Sequence, residues 1–472
     1  MEFVATPFHN AALINLMRST DTRMAESSRL LITNARLVNE GRIQDADVLI
    51  TGQRIEKIAG SIAAGDGVKI LDAGGSYLLP GMIDDQVHFR EPGLIDKGDL
   101  ATESAAAVAG GITSFMDMPN VDPQTTTREA LADKYRMAVH RCTANYGFYL
   151  GASNRNIEEI KALRQGEACG IKVFMGASTG DMLVDDPSTL ERIFEHAPVI
   201  VATHCEDSPM IWENEARARE QFGDAVPFSE HPKIRSAEAC LASSSTAIDL
   251  AKRHDALLHV LHLTTAVEMG LFSQAHRSEK RITAEVCAHH LWFDEARYED
   301  LGAIIKCNPA IKTAEDRQAL IDALVDGRLD VIATDHAPHT ADEKQRGYFD
   351  APSGLPLVQH AMLMLFDLAA QGHIGPELIV DRTSHAPADI FGVKDRGYVR
   401  EGWFADLVIV DPQRPCKVQQ SNLLYKCQWS PFIGDEFSAT IDTTIVNGNI
   451  VFRGGELTGN IAGQRLQFTR SR

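Results

Sequence analysis

Between roughly residues 80 and 390, short apolar runs alternate with stretches of helical periodicity. The β-rich runs are Met82–His88, Ile112–Met118, Asn145–Leu150, Gly170–Met175, Val199–Thr203, Leu257–Leu263, Arg281–Cys287 and Asp330–Thr334. Helical patterns fill several of the intervals, at Thr102–Ala109, Glu238–Arg253 and Ala314–Asp326. Eight such units predict an α/β chain folded as a (β/α)8 TIM barrel rather than a doubly wound sheet. A further apolar run, Ala303–Cys307, reads either as a ninth strand or as a loop insertion. No Gly-x-Gly-x-x-Gly opens a helix after a strand, so a dinucleotide site has no support.

The two ends of the chain share another style. Leu30–Val38 and Val48–Ile58 are β-rich, and Ala405–Val410 and Thr444–Phe452 repeat the pattern near the C-terminus, with Asn447-Gly448 as a hairpin signal. The expectation is a small β-sandwich domain built from both ends, 29–80 and 396–472, with the barrel at 81–395 inserted between its halves. Residues 1–28 read as an N-terminal extension: the apolar stretch Ala11–Met17 has neither a charged lead-in nor a cleavage site, and Met24 could serve as an alternative start.

Composition narrows the classes. The 472 residues carry 46 basic and 65 acidic side chains, a net charge of −19, which disfavours nucleic acid or an anionic membrane as partner. No run is long enough for a membrane span. Eight cysteines are scattered without a Cys-x-x-Cys pair, as expected of reduced thiols in a cytoplasmic protein. A small anionic substrate stays open, because a few local arginines can hold one.

Polar residues gather at the strand ends. The first strand leads into Asp84-Asp85-Gln86-Val87-His88-Phe89-Arg90, the second into Asp117-Met118-Pro119-Asn120, and the fourth carries Lys172. The fifth ends Thr203-His204-Cys205-Glu206, the sixth carries His259 and His262, the seventh leads to His289-His290, and the eighth ends Thr334-Asp335-His336-Ala337-Pro338-His339. In a barrel these ends open on one face, where active sites lie. Histidines and an aspartate converging there suit a hard or borderline cation, with zinc the default. Any one of these histidines could be an ordinary core residue, and His259 fits that description better than His262. A lysine inside an apolar strand must be paired, neutral or chemically converted. Cys205 is turned from its neighbour by strand alternation, which leaves a thiol nucleophile little support.

Taken in order, the segments Asp84–Gly93, Met118-Pro119-Asn120, Lys172, Thr203–Asp207, His262 and Ala333–His339 resemble the dihydroorotases of the amidohydrolase superfamily, over roughly residues 30–455. The resemblance implies one or two zinc ions, usually bridged by a carboxylated lysine or an aspartate together with a hydroxide, with His88, Lys172, His204, His262 and Asp335 as ligands and Lys172 at the carboxylated-lysine position. It implies Arg90, Asn120 and His339 around a substrate carboxylate, Asn308 as a further substrate contact, and Asp335 as the catalytic proton carrier. The implied reaction interconverts N-carbamoyl-L-aspartate and L-dihydroorotate in pyrimidine biosynthesis. A homo-oligomer, and aspartate transcarbamoylase as a protein partner, are expected on the same ground.

One position departs from the family pattern: Gln86 stands where His-x-His is usual, which leaves the inner metal position in question. Two rival readings follow. A related cyclic amidohydrolase, such as an allantoinase or dihydropyrimidinase, would share the metal scaffold, but its substrates lack the carboxylate that Arg90 and Asn120 suit. A non-catalytic dihydroorotase-like scaffold for aspartate transcarbamoylase is favoured by Gln86 alone. Lys172, His204, His262 and Asp335 weigh against it, because a scaffold has no use for so costly a polar cluster.

Overall fold

In the computed structural model, which describes residues 29–176 and 180–470, eight parallel strands form the predicted barrel. They are Met82–Val87, Ile112–Asp117, Asn145–Phe148 continued by Leu150–Gly151, Ile171–Phe174, Val201–His204, Leu258–Val260, Ile282–Cys287 and Val331–Ala333. The two arcs join through Tyr149 on one side. On the other side a parallel bridge between Val87 and His336 closes the ring, and the His88 backbone N–H donates to the His336 carbonyl at 2.7 Å. Nearly every strand residue is buried, as strands covered on both faces require.

The helices begin where the sequence supplies caps. Leu100–Ala109 starts at Asp99, whose carboxylate accepts from the Ala101 and Thr102 backbone N–H groups. Ala314–Asp326 starts at a Thr313/Asp316 capping box and ends at Gly327 with φ +87°.

Both chain ends contribute to one nine-stranded sheet. Tyr77–Pro80 lies at its centre, between Arg29–Asn39 from the N-terminal part and Leu407–Asp411 from the C-terminal part, and Gly81 then leads into the first barrel strand. One apolar cluster, including Ile32, Leu37, Val48, Leu78, Leu407 and Ile445, joins the two contributions. Asn447 and Gly448, with φ +50° and +74°, form the hairpin turn between Thr440–Val446 and Asn449–Arg453.

Two expectations change. Val48–Ile58 is not one run but parts of two strands, Arg42–Thr51 and Arg54–Ala59, which fold back at Gly52 with φ +59°. The run Ala303–Cys307 is no ninth strand: Gly302–Ile305 is a single 3-10 turn inside the connection between barrel strands seven and eight. The proposed extension 1–28 lies outside the described residues. Beyond the sheet, the tail turns back under the barrel, where Leu466 and Phe468 pack with Tyr149, Cys169 and Phe391. No helix among the described residues is long and apolar enough to cross a membrane.

Candidate active site

A pocket opens at the C-terminal end of the barrel, lined by Gln86, His88, Arg90, Asn120, Lys172, Phe174, His204, His262, Asn308, Asp335, Ala337, Ser353 and Gly354. It brings together every residue that the family resemblance implies as ligand or substrate contact except His339, which stands just behind Arg90; His259, His289, His290 and Cys205 do not line it. Three of these residues, Arg90, His262 and Asp335, have φ of +70°, +39° and +49°, a left-handed backbone that non-glycine residues seldom adopt. Strain of this kind, costing roughly 1–3 kcal/mol per residue, persists where surrounding structure holds it, and it gathers at functional sites.

The strand-one side is internally bonded. Gln86 Nε2 donates to Asp335 Oδ1 at 2.9 Å, and His88 Nε2 lies 3.1 Å from the same oxygen. The second His88 nitrogen, Nδ1, is 2.7 Å from Asn120 Oδ1. Gln86 Oε1 is buried without a partner. Burial alone would raise the Asp335 carboxyl, but the His88 contact, with His289 and Lys172 nearby, holds it below the usual carboxylate range.

The opposite side is built from strands four to six. His204 Nδ1 and His262 Nε2 face each other at 2.9 Å. Behind His204, Nε2 meets Glu206 at 2.8 Å, and Glu206 is in turn held by Arg235 at 2.6 Å. Burial works to raise the Glu206 carboxyl, yet Arg235 and His204 outweigh it and keep the group at about 2. His262 is held from its backbone, whose N–H donates to Glu285 Oε1 at 2.9 Å. Lys172 is 1 % exposed; among the described residues its Nζ has no hydrogen-bond partner, and the Phe174 ring centroid lies 4.6 Å away. Burial lowers this amine to about 8, well within reach of its neutral form.

The mouth of the pocket is cationic. Arg90 is buried, donates from Nε to the Pro338 carbonyl at 3.0 Å, and has Nη2 3.0 Å from His339 Nε2. No carboxylate among the described residues forms an ion pair with it. Burial lowers its guanidinium only to about 10, so it stays charged. Between Arg90 and Lys97, His339 is pushed well below its ordinary range by burial and by those two cations. Asn308 Oδ1 accepts from Ser353 Oγ at 3.0 Å, which leaves its amide N–H groups for the pocket. Gly354, with φ +135°, lets this rim close: a Cβ there would stand 2.5 Å from the Ala337 carbonyl oxygen.

Several supporting residues had no assigned role from sequence. Glu206 stands in a quoted segment, but Arg235 lies 29 residues further on and gives no local sign of the contact. Asp117 accepts from the Phe89 backbone N–H at 2.7 Å and pairs with Lys134 at 2.6 Å, which fixes the loop carrying Arg90. Asp84 ties strand one to strand eight through Thr334, and Glu103 pairs with His336 at 2.9 Å. His259 faces away from the pocket toward Asp85, 3.1 Å distant, in keeping with a core role. The Cys205 thiol points to Thr203, not to the site.

Comparison with known proteins fits this geometry. The model described as "Amidohydrolase family" matches residues 77–451. The chain belongs to the amidohydrolase family. Within that family it stands with the dihydroorotases. It is 34 % identical over 418 residues to a dihydroorotase of Halobacterium salinarum, covering 88 % of this chain and 94 % of that one. It is 32 % identical over 434 residues to a dihydroorotase of Pediococcus pentosaceus, covering 90 % and 99 %. Among solved structures, an L-hydantoinase (dihydropyrimidinase) from Arthrobacter aurescens superposes with a TM-score of 0.87 at 25 % identity, over 93 % of this chain and 99 % of that one. The amidohydrolase barrel is thus common to both groups, while the relatives found by sequence point to a hydrolase acting on the cyclic amide of dihydroorotate.

Proposed function

We propose that this amidohydrolase interconverts L-dihydroorotate and N-carbamoyl-L-aspartate, with Arg90 as the anchor of the substrate carboxylate. The observation that carries this reading is a buried, charged guanidinium facing the pocket without a carboxylate of its own. A bidentate arginine–carboxylate pair would satisfy it, and allantoin or dihydrouracil has no ring carboxylate to offer. The Asn120 and Asn308 amides supply further donors on the same rim, and His339 supports Arg90 from behind.

The remaining donor set suits divalent metal. Lys172 is buried without a counter-ion in contact, and its neutral amine is the form that carbon dioxide can carboxylate, which would turn a costly cation into an anionic oxygen donor. We assign Lys172, His204 and His262 to an outer position and His88, Lys172 and Asp335 to an inner one. Bound there, a zinc ion would lower the pKa of a water and polarise the ring amide carbonyl. In the hydrolytic direction the water oxygen bonds to that carbonyl carbon, and Asp335 takes its proton. Asp335 then delivers the proton to the ring nitrogen as the C–N bond breaks. Ring closure is the same path reversed.

On this reading 81–395 is the catalytic unit, and 29–80 with 396–472 form the β-domain that braces it. All eight cysteines are free, in keeping with a reducing cytoplasmic setting. A homo-oligomer and contact with aspartate transcarbamoylase belong to the same proposal; light scattering and co-sedimentation test them. Gln86 favours the second reading, a non-catalytic scaffold. Purified protein assayed with dihydroorotate, allantoin and dihydrouracil, with metal measured on the same sample, separates the cases. Turnover of dihydroorotate alone is expected. Equal turnover of the other two would move the reading to another cyclic amidohydrolase, and a metal-free, inactive protein would move it to the scaffold.

A further inference from the structure

Beside the pocket, where barrel strand seven ends, Cys287, His289 and His290 bring a thiol and two imidazoles together. One ligand atom from each lies within 4.8 Å of the others. Cys287 and His289 are fully buried and His290 is 3 % exposed. His290 Nε2 donates to the Pro309 carbonyl at 3.2 Å, which leaves Nδ1 with its lone pair, and that nitrogen has no partner. Neither His289 ring nitrogen has a hydrogen-bond partner. A neutral imidazole carries a single N–H, so one of them keeps a free lone pair. The two rings stand with centroids 4.0 Å apart. Buried, unsatisfied imidazole nitrogens are rare in native proteins and call for a ligand or a water.

We propose that Cys287, His289 and His290 form a binding site for a thiophilic divalent ion of the Zn2+ or Cd2+ class, separate from the Lys172, His204 and His262 donors. Thiolate plus two imidazoles is a donor set for such ions, with a fourth position left for water. Binding breaks the Cys287 S–H bond, forms a sulfur–metal bond and releases one proton per ion. Glu285 Oε1 accepts from the Cys287 thiol at 3.5 Å, which places a carboxyl group beside the sulfur that would lose its proton. Cys307 stands on the far side of His290, 3.7 Å from Nε2, the nitrogen already committed to Pro309.

The test is titration of the full-length protein with Co2+, reading ultraviolet thiolate-to-metal charge transfer and bound metal per chain. The Lys172, His204, His262 and Asp335 donors contain no sulfur, so this band is independent of the dihydroorotase reading. We expect the band in wild-type protein, its loss with one fewer ion per chain in Cys287→Ser, and weaker binding in His290→Gln. Cys205→Ser and Cys307→Ser should retain it. Zinc-edge X-ray absorption of the wild-type protein provides a second measurement if Cys287→Ser does not fold; a sulfur shell at about 2.3 Å is expected. No band and no sulfur shell at saturation, or a band that survives Cys287→Ser, would overturn the proposal.

Discussion

On the strand-one flank of the pocket, Gln86 and His88 both reach Asp335 Oδ1, at 2.9 and 3.1 Å, and these polar groups largely satisfy one another. The flank made by strands four to six is held differently: His204 and His262 meet each other at 2.9 Å, but their bracing comes from outside the pocket. His204 and His262 turn nitrogens inward and take their support from behind, from Glu206 with Arg235 and from Glu285. Lys172 has no internal hydrogen bond at all among the described residues. The contrast teaches where each flank invests its polar groups. A flank tied together through Asp335 can lose an ion and keep its shape, whereas a flank with an unpaired lysine and two imidazoles braced from outside is preorganised for one. Gln86 sharpens the difference, since its amide N–H serves as a donor to Asp335 where a histidine would offer a lone pair.

Breaking the self-bonded flank at its centre should have the largest effect. Asp335→Asn keeps the shape but cannot carry the proton, so turnover should fall roughly 10²–10⁴-fold or more with little change in thermal unfolding. A variant retaining a tenth of wild-type kcat would remove Asp335 from that role. Next comes the brace of the other flank. Glu206→Gln leaves Arg235 without its counter-ion and weakens the hold on His204, so metal affinity should drop about 10–100-fold. Competition with a chromogenic chelator measures it, and unchanged affinity would mean that the Arg235–Glu206–His204 chain only stabilises the fold. Smaller still is Arg90→Lys, which replaces a planar fork by a point charge. It should weaken use of the carboxylate substrate by about 1–3 kcal/mol while metal content stays constant. Equal loss on a substrate without the carboxylate would make Arg90 structural.

The two flanks also differ in how legible they were from the chain. The eight barrel strands stand out because each is a short, doubly buried apolar run, and their polar ends name nearly all of the pocket. Arg90, Asn120, Lys172, His204, His262 and Asp335 meet there because a closed barrel gathers strand ends on one face, whereas Asn308, in the connection between strands seven and eight, was legible only through the family resemblance. The supports were not legible. Arg235 reaches Glu206 from a separate loop, and the Glu285 contact to the His262 backbone joins neighbouring strands by a geometry that no spacing encodes. Local rules failed in the same way at Ala303–Cys307. That run is apolar because Ala303 and Ile305 are buried within a connection, not because it pairs with another strand.

The difference between the flanks is tested most directly by stepwise chelation of the natural protein beside Gln86→His, with metal content and dihydroorotate turnover read on the same samples. Two ions of unequal affinity are expected, the inner one leaving first while activity persists on the outer position. Gln86→His should hold the inner ion more tightly and merge the two steps. Two ions released together from the natural protein, with Gln86→His changing nothing, would contradict the account and make Gln86 a bystander.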